Sequence, residues 1–82
     1  MDINKAIEEF DPNSPEQFSS ILKAALELPA HVSQYVVGSL ASQFQVAPST
    51  VRRWANGMVV PHSSLRTPIV SAIRGYLADI EQ

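Results

Sequence analysis

Eighty-two residues, 45% of them hydrophobic and 17% charged, make one domain around one core: the chain is too short to bury two cores and too apolar to stay disordered. No cysteine is present, which excludes a disulfide framework or a thiolate metal site and agrees with a reducing compartment. The formal net charge is −2, which taken alone argues against a nucleic-acid partner.

The leading segment, MDINKAIEEF, spaces Ile3, Ala6, Ile7 and Phe10 as one helix face would. Residues 1–13 are expected to be either a docked turn or a frayed, loosely docked arm. Asp11-Pro12-Asn13-Ser14-Pro15 is a turn cluster, and Ser14, Pro15 and Glu16 then supply a cap, a first-turn proline and an acid suited to the helix dipole. A helix should start there, burying Phe18, Ile21, Leu22, Ala25, Leu26 and Leu28 and stopping at Pro29.

From Ala30 to Phe44, Val32, Val36, Leu40 and Phe44 recur every fourth residue, with Tyr35, Val37 and Ala41 alongside, as a second helix requires. Gly38 marks a kink, a close helix contact, or the start of a shorter helix from Ser39 to Phe44. Gln45-Val46-Ala47 breaks the pattern, and Pro48 opens a third helix, Pro48 to Asn56, with Val51 and Trp54 inward. Asn56-Gly57 stops it, since glycine takes the left-handed cap conformation at little cost. Met58 to Ser64 reads as a loop containing Pro61. Thr67-Pro68 repeats the cap-then-proline signature, so a last helix is expected from Pro68 to about Ile80, its apolar residues being Ile69, Val70, Ile73, Tyr76, Leu77 and Ile80. Strand alternation, internal repeats and low-complexity stretches are absent from the sequence. The fold class is therefore all-α, a compact bundle of four to five helices.

Charge is unevenly distributed along the chain. Residues 1–27 hold six acids against two bases, a local balance of −4, whereas Leu28 through Ala78 contain no acid and carry Arg52, Arg53, Arg66 and Arg74. A chain divided in this way can present a positive face despite its acidic total.

The informative segment is LASQFQVAPSTVRRWANGMVVP. Its two helices meet across a tight turn and lock through Leu40, Ala41, Phe44, Val46, Val51 and Trp54, Ala41 being small because the second helix crosses over it. Ser49, Thr50, Arg52, Arg53 and Asn56 are left facing outward, and an α-helix fits the DNA major groove. Arginine reaches guanine O6 and N7 through two parallel hydrogen bonds or clamps a phosphate, and the start of the helix at Pro48 to Thr50 aims free amides and a positive dipole end outward.

With these residues in view, the segment resembles the Cro/phage-repressor-like (XRE) helix-turn-helix family, the lambda-repressor-like fold. The matching residues are Leu40-Ala41, Val46, Ser49-Thr50-Val51, Trp54, Asn56-Gly57 and Pro61, and the match is close over residues 37–61. Gln45 stands where the family often has glycine, and the polar residue that usually opens the first motif helix is replaced by Val37 or Gly38. The resemblance implies that Pro48 to Asn56 is the recognition helix and that the protein is a sequence-specific transcriptional regulator, a repressor-like homodimer on double-stranded DNA. It implies that Pro48, Ser49, Thr50, Arg52 and Arg53 contact bases or nearby phosphates, that Asn56 meets the backbone, and that Ser39 and Gln43 substitute for the missing phosphate clamp. Arg66, in the acid-free stretch, is a further backbone candidate.

Other readings keep the bundle and change its use. The wide apolar surface of the last helix, 68–80, is either core or a two-fold dimer interface. The chain could instead be a protein-interaction module, an adaptor or antitoxin-like partner, using its acidic start, its last helix, or Met58-Val59-Val60. Catalysis is not expected, because no carboxylate lies among the central residues to build an acid–base pair or a triad. Neither is a cofactor or a metal, since His31 and His62 have no acid between them. The acidic start is unlike a secretory signal, and no run of about 18 apolar residues occurs, so the expected location is cytoplasmic.

Overall fold

In the computed structural model, which describes residues 2–81, the chain forms α1 (Ile3–Glu8), α2 (Pro15–Leu26), α3 (Ala30–Phe44), α4 (Pro48–Ala55) and α5 (Ser63–Glu81). The described residues contain no strand, so the architecture is the expected all-α bundle. Its centre is one apolar cluster to which every helix contributes. Phe18, Ile21 and Leu22 of α2, Val36 and Leu40 of α3, Val51 of α4 and Ile69 and Ile73 of α5 are all sealed from solvent, each side chain contributing about 1.5–3 kcal/mol by its burial. Among the described residues no helix is long and apolar enough to cross a membrane.

The leading segment is a docked helix, not a frayed arm. The Asp2 carboxylate accepts from the backbone N–H groups of Asn4 at 3.1 Å and Lys5 at 3.4 Å, capping α1, while Ile7 is buried and Ile3, Ala6 and Phe10 rest on the core. At α2, the Ser14 hydroxyl accepts from the Gln17 amide at 3.2 Å with Pro15 in the first turn, as the Ser-Pro-Glu string predicts. Helix α3 runs unbroken through Gly38. That residue is exposed, and a Cβ placed on it would meet nothing within 4 Å, so it marks neither a close helix contact nor a new helix start.

The last helix departs from expectation. It begins at Ser63, and Pro68 lies inside it. The missed cap is His62: its Nδ1 accepts from the Ser64 amide at 3.2 Å, and its carbonyl accepts from the Leu65 amide at 2.9 Å. Because an amide can only donate, Nδ1 is the accepting ring nitrogen. With the first turn closed in this way, Pro68 removes only the bond its own N–H would have made to the carbonyl four residues back. A proline signature that normally opens a helix here sits one turn into it.

Much of the apolar width of α5 is used inside the chain, while Leu65 and Ile80 are exposed. Ile69, Val70, Ile73 and Leu77 are all buried against α1, α2 and α3. Of the other apolar residues expected on this helix, Tyr76 is half-buried and Ile80 is exposed.

Candidate nucleic-acid interface

Helix α4 is held from both ends and from behind. Between α3 and α4, Gln45 adopts the left-handed conformation (φ 55°, ψ 48°), and the Val46 N–H reaches back to the Ala41 carbonyl at 3.0 Å, the long bond of a Schellman-type helix ending. Gln45 thus does the work that glycine does in such turns. The far end closes similarly: Gly57 has φ 72°, with Gly57 N–H to Trp54 carbonyl at 3.2 Å and Met58 N–H to Arg53 carbonyl at 3.1 Å. Behind the helix, Val51, Trp54 and Ala55 are buried, and α4 packs on α2 and α3.

Successive helical residues turn by about 100°, so burying positions 51, 54 and 55 forces Ser49, Arg52, Arg53 and Asn56 onto the opposite side. All four are exposed, as is Pro48, and Thr50 is half-buried at the edge of that face. The start of α4 is open as well. Its N-cap is Ala47, which offers no side-chain acceptor; the Thr50 amide bonds the Ala47 carbonyl at 2.9 Å. Pro48 has no N–H to satisfy, and no serine, threonine, asparagine or aspartate side chain at the cap position competes for the positive end of the helix.

Three of the sequence candidates lie elsewhere. Tyr35, Ser39 and Gln43 follow one another at four-residue spacing along one side of α3, and Tyr76 of α5 meets the first and last of them. Its ring is edge-on to Tyr35, with centroids 5.9 Å apart, and its hydroxyl donates to Gln43 Oε1. Gln43 is thus engaged by α5, and Ser39 lies between Tyr35 and Gln43 on the same side of α3. Arg66 is half-buried and engaged: its Nε donates to the Pro61 carbonyl at 3.0 Å and Nη1 to the Pro12 carbonyl at 2.9 Å. It ties the α4–α5 loop to the α1–α2 turn.

Two features were not foreseen from sequence: the double grip of Arg66 and the cap by His62. Nothing local signals the first, because its partner Pro12 is remote in the chain. The second had a local signal, a histidine two residues ahead of a serine after a proline, but histidine is not among the usual capping residues. Among the described residues no group of three or more histidines, cysteines, aspartates or glutamates is placed to hold a metal ion.

Fold and surface together define a small all-α domain that presents one short, cationic, firmly backed helix. Comparisons with protein-family models, with curated proteins and with solved structures give no match, so the use of that helix has to be argued from its own chemistry.

Proposed function

We propose that the protein binds double-stranded DNA in a sequence-specific way, as a repressor-like transcriptional regulator of the helix-turn-helix type, with α4 in the major groove. What supports the reading is the division of α4 itself: Val51, Trp54 and Ala55 are buried while Arg52 and Arg53 are exposed, in a stretch without a single carboxylate from Leu28 to Ala78. Two arginines and an uncapped helix start match phosphates and guanine edges. Ser49 and Asn56 add neutral hydrogen-bonding groups to the same face, and Thr50 flanks it. Because one chain offers few cations, each copy neutralises few phosphates, and two copies on one palindromic site would supply the missing affinity.

The test is selection of bound duplexes from a random pool, followed by a salt titration on the selected site. The proposal expects a palindromic sequence and an affinity that falls steeply with salt. Failure to retain any duplex at about 50 mM salt, where phosphate contacts are strongest, would remove it.

One observation favours a second reading, in which the same bundle is an adaptor or antitoxin-like interaction module. Met58 is 73% exposed and Val59 49% exposed, an unusual placement for two neighbouring apolar side chains. In that case the pool yields no sequence, and a protein ligand protects Met58 and Val59 instead.

A further inference from the structure

Between α1 and α2 lies a groove of about 310 Å³ lined by Ala6, Glu9, Glu16, Gln17, Ser20 and Ile21. Ile21 is 1% exposed and forms an apolar floor with Ala6, while Glu9 and Glu16 are exposed at the rim. An apolar floor beneath carboxylates suits an arginine, whose aliphatic stem buries against carbon while its guanidinium stays among oxygens. The chain's own pair of adjacent, exposed arginines is Arg52–Arg53 on α4. The α1 side of the groove is remote from them in the fold, since α1 packs against α2 and α5 and makes no contact with α4.

We infer that the α1–α2 groove of one copy receives the Arg52–Arg53 face of a second copy, head to tail. Charge complementarity selects this occupant. Residues 1–27 carry a balance of −4 and residues 28–78 carry four arginines and no acid, so the groove of one copy and the α4 face of another are opposite in charge. Of the remaining arginines in the acid-free stretch, Arg66 is already held by two carbonyls and Arg74 has no arginine or lysine beside it in the sequence. The contact joins unlike surfaces, so it leaves one groove and one α4 open at the ends and grows as an open chain. It also covers α4, so self-association and any other ligand of α4 exclude each other. Resting on exposed ion pairs, it is weak, with a dissociation constant on the order of 0.1–1 mM.

The experiment is sedimentation velocity on the full chain without DNA, so its outcome is independent of the DNA reading. The average mass should rise with concentration at about 50 mM salt and fall back to the monomer at about 500 mM, where screening shortens to roughly 4 Å. The double variants E9Q/E16Q and R52A/R53A should each stay monomeric, with association weakened at least about tenfold. All four positions are exposed, and circular dichroism verifies that each variant is folded. Mixed together, the two variants should associate again, because one keeps an intact α4 and the other an intact groove, and growth should stop at a one-to-one pair. A wild-type chain that remains monomeric at low salt overturns the inference, as does a mixture that fails to pair. Association that survives both double variants and disappears when Met58 and Val59 are made serine would assign the interface to the α4–α5 loop and overturn it equally.

Discussion

Trp54 meets Phe18 edge to face, with ring centroids 6.2 Å apart and an interplanar angle of 64°, and this joint sets α4 against α2. Both side chains are nearly sealed, at 5% and 0% exposure. Trp54→Ala should destabilise the fold by about 3–5 kcal/mol, read as a lower urea midpoint, whereas Trp54→Phe keeps an aromatic contact and should cost less. A loss below about 1 kcal/mol for the alanine variant would mean that α4 is not anchored here.

Gln45 holds a backbone conformation that carries a steric penalty for any residue with a Cβ. Gln45→Gly should therefore stabilise the protein, by about 1 kcal/mol after allowance for the added freedom of the unfolded chain. The urea midpoint should rise at constant slope. A fall would show that the exposed glutamine side chain contributes more than its backbone strain removes.

Ala47→Asp separates stability from binding, because the two should move in opposite directions. An aspartate at this extended N-cap position (φ −70°, ψ 148°) can accept from the free amides of α4 and should add about 1 kcal/mol of stability. The same carboxylate would stand where the proposed function places a phosphate, so affinity for DNA should fall. A variant that is more stable and binds as well as the wild type would show that the start of α4 is not at the DNA.

Most of the fold could be read from the sequence where local signals agree. Ser14-Pro15-Glu16 placed the start of α2, the four-residue recurrence of Val32, Val36, Leu40 and Phe44 spanned α3, and Pro48 opened α4. The misreadings arose where a signal was ambiguous or remote. Thr67-Pro68 has the composition of a helix start, but a proline one turn into a helix removes only one bond, so the cap at His62 prevails. The short α1 has too few residues for periodicity to decide, and its Asp2 cap makes the difference. For the candidate surface, inward Val51 and Trp54 were enough to place Arg52 and Arg53 outward. The engagements of Arg66 and Gln43 were not legible locally, because their partners Pro12 and Tyr76 come from distant parts of the chain.

Arg52 and Arg53 diverge by about 100° around α4, so one duplex should meet them differently. Each alanine variant should keep its urea stability within about 0.5 kcal/mol, as exposed positions do, and weaken binding to the selected site by about 1–3 kcal/mol. The arginine at a phosphate should lower the salt slope by about 1 and weaken all sequences alike, while the one at a base should relax preference at a single position. Unchanged binding in both variants would remove α4 from the interface.

Tyr76 links α3 and α5 and also makes their packing sensitive to alkali. Burial raises its hydroxyl above the ordinary value of 10.0, and the nearby Tyr35 acts in the same direction. The fold therefore favours the neutral phenol, and the stabilisation is fully present below 10.0. As pH rises past that value the unfolded chain ionises first, and the contribution is lost as the folded group follows. Urea midpoints measured from pH about 9 to 11 should fall more steeply for the wild type than for Tyr76→Phe. At neutral pH that variant keeps the ring against Tyr35 and loses only the hydroxyl's bond to Gln43, a cost of about 0.5–1.5 kcal/mol. Equal alkaline slopes in the two proteins would mean that this hydroxyl ionises alike in the folded and unfolded chains.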